Sequence, residues 1–440
     1  MTNDLDFTIK TLGPCRIESP LAHLLARRRQ TIEQVEETDK VLFDDTHSAA
    51  LARQCALERL PAFEPAGPRR QIFFDPNTTR AGIVTCGGLC PGFNDVIRAL
   101  VMELHHRYGV RQIYGFRNGF QGFVGKHARD VVELTPELVS KINEDGGTIL
   151  GTSRGEQEIG EIVDCLERMN INILFTVGGD GTIRGAIELV REIEKRGAKI
   201  AVVGIPKTID NDLLFIDHSF GFQTAFTQAA KSIDAAHVEA TSAPHGVGLV
   251  KLMGRHSGFI ACYAALAKND ANFVLIPEVP FKLDGDTGLL VLLRERLIRR
   301  NHALIVVAEG AGQELVQTGP PEYDKSGNLQ LGDIGVFLKK QIVDYFAREG
   351  MEVNVRYIDP SYMIRGVPAN AYDAIYCIRL AHNAVHAAMC GRTELLIGRW
   401  HGRFVHIPMP MAIQRRHVID PDGDLWMSVL ESTGQPWRIG

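Results

Sequence analysis

Between Gly204 and Asp212 the chain reads GIPKTIDND, which sets two carboxylates, Asp210 and Asp212, beside Lys207 and Thr208. The stretch follows an apolar run, Ile200 to Ile205, with the composition of a buried strand. Loops at strand ends are where α/β proteins keep their chemistry. A carboxylate held among phosphate-binding cations can take the proton from an attacking hydroxyl. Taken alone, the stretch reads more readily as a solvated acidic turn, so the decision rests on what its neighbours supply.

Other turns supply phosphate chemistry. Thr85 to Asn94, TCGGLCPGFN, passes through Gly87, Gly88, Pro91 and Gly92 into a helix. Glycines there let a ligand approach the backbone, and a helix N-terminus favours an anion. The turn is neither a GxxxxGK nor a GxGxxG loop, and such turns are about as often plain strand–helix corners. Thr148 to Gly155, TILGTSRG, carries one guanidinium, Arg154, able to face phosphates; by itself it reads as a surface loop. In Gly178 to Thr182, GGDGT, Asp180 is the lone carboxylate between Gly179 and Gly181. It suits a magnesium ion bridging phosphates, while Thr182 can cap the helix or bond a phosphate. With magnesium on Asp180, Asp210 is placed to activate an acceptor hydroxyl, and Asp212 orients it or touches the metal shell.

In KLMGRHSGF, Lys251 to Phe259, Arg255 falls where a strand gives way to a helix and can meet phosphate. A helix start mildly disfavours a cation, which favours a functional reading. Met253 alone reads as core. Glu309 in VVAEGAG ends a strand and is either a sugar-hydroxyl acceptor or a salt-bridged structural acid. VRYIDPSYMIRG brings Arg356, Tyr362 and Arg365 into one extended segment able to grip a phosphomonoester, though each singly reads as a surface position.

These turns need a frame that gathers strand ends. From Ala81 onward, apolar runs (AGIVTC, QIYGF, NILFTV, KIAVVGI, GVGLVKL, NFVLI and ALIVVAEG) alternate with amphipathic stretches such as IRGAIELVREIEKRG and GFQTAFTQAAKSIDAAHVEA. The pattern predicts parallel sheets covered on both faces. The runs are too many for one small sheet, so two doubly wound α/β domains are expected, with Asn94 as N-cap of the first helix. Residues 1–78 differ: they hold RRR at Arg27 to Arg29, the acidic EETDK and a proline-rich piece. They read as an extension with helical pieces that lies over a main domain and ends in an extended arm near Ile72 to Phe74; a disordered tail is an equal reading only for the first ten residues, because LAHLL and VLFDD can bury apolar side chains.

The 440 residues, 45% hydrophobic and 23% charged, allow two domains and a large core. A net charge of -5 gives no general attraction to nucleic acid or acidic membranes, so an anionic ligand must meet local cations. The eight cysteines make no CxxC set, and Cys86 and Cys90 flank a Gly-Gly pair that suits a tight turn. They read as reduced, in the cytoplasm. No run approaches the roughly 20 apolar residues of a membrane span, and MTNDLDFTIK lacks the form of a signal peptide.

Taken in order from about Ala81 to about Arg416, GGxxPGxN, GTSRG, GGDGT, PKTIDND, GFQTA, KLMGR, AEG and YIDPSYMIRG resemble the 6-phosphofructokinases. The resemblance implies two Rossmann-like domains with the active site in the cleft between them. A nucleotide domain would hold residues 79–221 plus 364–412, and a sugar-phosphate domain 222–363 plus 413–440, after the extension 1–78. The implied glycolytic reaction moves a phosphoryl group from Mg-ATP to the 1-hydroxyl of fructose 6-phosphate. Gly88, Arg154, Gly155, Gly179, Gly181 and Thr182 would hold the nucleotide phosphates, with Asp180 on Mg2+. Asp210 would be the base, Thr208 would contact the transferred group, and Ile209 and Asp212 would lie beside them at the substrate. Arg255 would stabilise transition-state charge. Met253 and Gly254 would line the sugar pocket, and Glu309 would bond the sugar. Arg356, Tyr362 and Arg365 would bind its 6-phosphate, partly with a neighbouring subunit, which implies a homotetramer or dimer and allosteric control.

Three positions depart from the familiar bacterial ATP enzymes of that family. Leu89 stands for an aspartate, Tyr362 for a histidine, and Gly246 for an arginine contributed by a neighbouring subunit. The long extension and the lysine in PKTIDND point to a branch that holds both ATP and pyrophosphate users. Lys207 is typical of the pyrophosphate users and Gly181 of the ATP users, because an aspartate at that position obstructs the α-phosphate of a nucleotide. Gly181 carries more weight: ATP needs an empty position, whereas a lysine accompanies either donor. ATP is therefore the expected donor and pyrophosphate the alternative. A lipid or NAD kinase would share only GGDGT, and a non-catalytic nucleotide sensor would not need Asp180, Asp210 and Arg255 together.

Overall fold

A computed structural model of the chain describes residues 5–22, 35–46, 60–125, 131–317, 319–320, 322–323 and 329–440. The RRR run and most of LAHLL lie outside the described residues. The chain folds into two compact units. The first comprises Met1–Thr208, Leu213–Gly221 and Pro368–Arg415; the second comprises Ile209–Asp212, Phe222–Val367 and Arg416–Gly440. The two acids of PKTIDND thus group with the second unit and its lysine with the first. The later boundaries fall at Pro368 and Arg416 rather than at 364 and 413.

The strands in chain order begin with β1 (Lys10–Thr11), β2 (Ile17–Glu18), β3 (Val41–Leu42), β4 (Ala62–Pro65) and β5 (Gln71–Ile72). They continue with β6 (Arg80–Thr85), β7 (Gln112–Phe116), β8 (Val132–Glu133), β9 (Ile173–Gly178) and β10 (Ala201–Pro206). The remainder are β11 (Gly246–Leu252), β12 (Phe273–Leu275), β13 (His302–Ala308), β14 (Asn354–Ile358), β15 (Arg392–Thr393), β16 (Leu395–Trp400) and β17 (Arg403–Pro408).

The first unit is built on a sheet ordered β3-β4-β17-β16-β10-β9-β6-β7-β8. Its centre, β16 to β7, is parallel. Every residue of β9 and β10 is buried, which is why these runs are apolar at successive positions instead of alternating. The helices Ile159–Arg168 and Asp180–Lys195 bury Ile162, Leu166, Ile183, Ala186 and Val190 in one cluster with Val84, Leu174 and Val202. The helix Ala371–Met389 packs on Phe93–Met102 and on β10 and β16.

The edges beside this parallel centre are antiparallel. β16 and β17 form a hairpin whose two loop residues, His401 and Gly402, have φ 48° and 77°. Two left-handed residues in a two-residue loop match the twist of the flanking strands. The extension then adds β4 and β3 to the outer edge of β17, and β8 closes the other edge. VLFDD contributes the strand β3 here. Near the expected arm, β5 pairs with β2, and Phe73 and Phe74 both donate to the Met389 carbonyl. Asn94 is not an N-cap: Gly92 holds that position, and the Asn94 side chain bridges to the Asp145 carbonyl (3.0 Å) and the Ile149 N–H (2.9 Å). The helix Phe93–Met102 ends in a π-helical turn, Glu103–Tyr108, stopped by Gly109 at φ 82°.

The second unit has a parallel sheet ordered β12-β13-β11-β14. Alternate residues of each strand feed two cores. Val250, Leu252, Leu304 and Val306 meet the helices Phe222–Thr241 and Phe259–Lys268. Val247, Leu249, Ile305 and Val307 meet Leu289–Arg300 and Ile334–Arg348. Both units therefore place their loops after parallel strands, where ligand-binding turns belong.

Candidate active site

In the first unit, the turns after β6, β9 and β10 and the TSRG loop converge. Gly87 has φ 84°, and a Cβ on it would lie 3.3 Å from Lys207 Nζ; one on Gly88 would lie 3.2 Å from Arg154 Nη2. Two cations thus rest against bare backbone, which a larger residue at either position would crowd. Thr152 Oγ1 donates to the Gly87 carbonyl at 2.5 Å and the Gly87 N–H donates to Ser153 at 3.2 Å, fastening the loop that carries Arg154 and Gly155. Gly92 is obligatory: at φ 105°, its Cβ would strike Cys377 Sγ at 2.7 Å and Phe220 at 2.9 Å. Lys207 is nearly buried, lies 5.8 Å from the Phe93 ring centroid, and donates its N–H to Gly178 at 2.9 Å. The Thr208 carbonyl accepts the Ser219 hydroxyl. Burial pushes the Cys86 thiol up to about 12, so it is no nucleophile here.

Asp180 opens the helix Asp180–Lys195, whose N-cap is Gly179 with no side-chain cap. Arg184, one turn on, lies 3.3 Å from the Asp180 carboxylate. Thr182 is buried, and Gly178 has no room for a side chain because its Cβ would fall 2.1 Å from Thr182 Oγ1. A Cβ on Gly181 meets nothing within 4 Å. Two cations against bare glycine backbone and a helix N-terminus are an arrangement that could cradle an anion. Among the described residues no group of three or more His, Cys, Asp or Glu could hold a metal. One carboxylate beside an anion cradle is nonetheless a donor set Mg2+ accepts when phosphate oxygens supply the rest.

In the second unit, the Ile209–Asp212 turn is pinned at three points. Ser257 Oγ donates to the Asp210 carbonyl at 3.1 Å, His417 N–H donates to the Asp212 carbonyl at 2.9 Å, and Arg416 Nη1 donates to Asp212 Oδ2 at 2.6 Å. Asn211 between the acids has φ 57°, a left-handed conformation that Asn tolerates better than most residues. Asp210 Oδ1 is buried.

Met253 is buried, and Gly254 takes φ 132° with its would-be Cβ 2.4 Å from the Ser257 carbonyl. Arg255 Nη1 donates to Leu329 at 3.1 Å. The Gly310 N–H donates to Gly254 at 3.0 Å, and the Glu309 N–H to Leu252 at 2.9 Å, so the MGR and AEG turns are adjacent. Burial raises the Glu309 pKa, and Arg255 opposes the rise. The helix after MGR begins at Phe259, beyond Arg255, and its start is met by Glu278, which accepts Gly258 N–H at 3.0 and 3.1 Å. The dipole penalty expected for Arg255 therefore falls elsewhere.

Of the three expected phosphate-gripping residues, two come together. The Arg365 guanidinium stacks over Tyr362 at 4.8 Å, and Tyr362 is 79% exposed. Arg356, on β14, is engaged with Glu239 at 3.4 Å. The sequence reading missed Arg184, Glu278, Arg416 and the ion pairs of Lys251. Arg184 had a local signal, four residues after Asp180. The others are long-range partners with none.

A family model described as Phosphofructokinase matches residues 80–388. The chain belongs to the phosphofructokinase family. A relative from Amycolatopsis methanolica called ATP-dependent 6-phosphofructokinase is 54% identical over 99% of this chain and 96% of its own. One of the same name from Borreliella burgdorferi is 49% identical over 98% and 97%. The solved pyrophosphate-dependent phosphofructokinase of Marinobacter aquaeolei aligns with TM-score 0.66 at 19% identity, covering 82% of this chain and 92% of that one; the likeness is one of fold. Within the phosphofructokinase family, Gly246 gains a structural reason. Its Cβ would sit 2.0 Å from the Ala240 carbonyl, so an arginine cannot occupy this position without moving the backbone.

Proposed function

We propose that this phosphofructokinase transfers the γ-phosphoryl group of ATP to the 1-hydroxyl of fructose 6-phosphate, giving fructose 1,6-bisphosphate and ADP. The observation that carries the reading is the unbroken likeness, 54% identical over 99% of the chain, to a relative named for that activity. Lys207 and Arg154, against Gly87 and Gly88, support a phosphate-holding role for the first unit. Asp180 would hold Mg2+, which when bound supplies charge neutralisation to the phosphates.

Asp210 takes the proton from the 1-hydroxyl, and the oxygen attacks phosphorus as the bond to the leaving diphosphate breaks. General-base help of this kind is worth roughly 10²–10⁴-fold, so positioning and electrostatics supply most of the rate. Arg255 offsets charge spreading over the transferred group, with Thr208 in contact with it. Met253, Gly254 and Glu309 hold the sugar, and Tyr362 and Arg365 its 6-phosphate. A homo-oligomer accords with Tyr362 and Met363, 79% and 63% exposed.

The test is a paired assay on fructose 6-phosphate with ATP and with pyrophosphate, using wild type and Asp210→Asn. Turnover with ATP, lost in the variant while the fold is kept, is expected. Turnover with pyrophosphate alone, or an unimpaired variant, would refute the donor or the base respectively.

A further inference from the structure

Lys251 is the penultimate residue of β11, and its side chain is 12% exposed. The parallel register sets Val250 against Ile358, so the next rung brings Lys251 opposite Asp359, the residue that follows β14. Lys251 Nζ lies 2.9 Å from Asp359 Oδ2 and 3.0 Å from Asp333 Oδ2. Each carboxylate uses its other oxygen to begin a helix. Asp359 Oδ1 accepts Ser361 N–H at 3.1 Å and Ser361 Oγ–H at 2.5 Å, at the start of the short helix Ser361–Arg365. Asp333 Oδ1 accepts Val336 N–H at 3.1 Å as N-cap of Ile334–Arg348, and the Tyr357 hydroxyl at 3.2 Å.

One ammonium therefore ties three segments. Its own strand runs on into Met253, Gly254 and Arg255, and the Leu252 carbonyl accepts the Glu309 N–H. The segment it holds through Asp359 presents Tyr362 and Arg365. We infer that Lys251 is a positioning residue for the sugar phosphate: by holding Asp359 it fixes the turn bearing Tyr362 and Arg365 relative to the MGR turn. Burial would lower its pKa, but the bonds to Asp359 and Asp333 outweigh that and raise it, so the latch stays charged at neutral pH. Small displacements of binding groups are expensive, on the order of a hundredfold for about 1 Å.

The inference rests on the sugar-phosphate role proposed above, and its test separates the two. In full-length protein, Lys251→Met should raise KM for fructose 6-phosphate by roughly ten- to a hundredfold, while kcat falls much less and KM for ATP holds. Lys251→Arg, which keeps the charge, should recover most of the affinity. Amide exchange of residues 361–365, measured without substrate, should quicken in Lys251→Met. An unchanged KM for the sugar, or both KM values rising together, overturns the positioning role. Unchanged exchange at 361–365 overturns the latch itself, whatever the substrate. Absence of any wild-type turnover would instead sink the proposed activity, and the exchange result would still judge the latch.

Discussion

The Asp212 carboxylate accepts a 2.6 Å hydrogen bond from Arg416 Nη1, while the next residue, His417, donates its N–H to the Asp212 carbonyl. The strand-end acid is thus anchored by a segment that joins the second unit only at Arg416. These two bonds fix the turn that carries Asp210.

Removing the guanidinium leaves a buried carboxylate without one of its partners. Arg416→Ala should cost about 1–3 kcal/mol and slow turnover by loosening the Asp210 turn. Urea denaturation and steady-state rates check this, and an unmoved midpoint would show that the pair adds nothing to stability.

Gly181 offers a clean donor test. Its Cβ position is open, and it lies in the first turn of a helix, where the macrodipole favours an acid. Gly181→Asp should therefore fold normally. An uncompensated contact of about 3 kcal/mol with nucleotide phosphate corresponds to roughly a hundredfold loss in kcat/KM for ATP. Unchanged ATP kinetics would refute the steric and electrostatic argument.

Glu103, in the π-helical turn, has its pKa raised by burial from 4.5 to about 7, with Arg107 opposing. The His382 and His386 rings lie 3.6 and 4.0 Å away, and burial lowers both, His386 to about 3, which weakens their claim on the Glu103 charge. The folded state holds a proton that the unfolded chain releases near 4.5. This stabilising contribution is full below 4.5 and is lost as pH rises through 7. Glu103→Gln should flatten that slope and add on the order of 2–3 kcal/mol at pH 8. Denaturation midpoints across pH 5 to 8 decide it; parallel profiles for the two proteins would contradict the assignment.

Cys15 is half-buried and its thiol donates to the Cys390 carbonyl at 3.3 Å; the Cys390 side chain beside it, and then Arg392 and Arg69, lower its pKa while burial opposes them. Burial raises Cys86, Cys165, Cys262 and Cys377. Brief alkylation at pH 7 should label Cys15 ahead of these, since the thiolate is the reactive form. Peptide mass spectrometry reads the order, and earlier labelling of Cys262 would overturn it.

The parallel strands were legible because strands such as β9 and β10, buried on both faces, are apolar at every position. The β16–β17 hairpin was not, because its turn is His401-Gly402, a weaker signal than Asn-Gly. Asn94 misled because its side chain found partners around Asp145 and Ile149 rather than its own helix. The glycine turns, GGDGT and PKTIDND were readable as local chemistry. Their anchors were not: Arg416 stands 204 residues from Asp212, and only the folded chain brings such residues together.

The open space around Gly181 also bears on which glycines can be replaced. A position the scaffold does not use for packing can be exchanged without a foldability penalty. Gly92 and Gly254, wedged against their neighbours, permit no such exchange. A side chain at position 181 therefore meets no packing constraint, whereas one at position 92 or 254 would displace its neighbours.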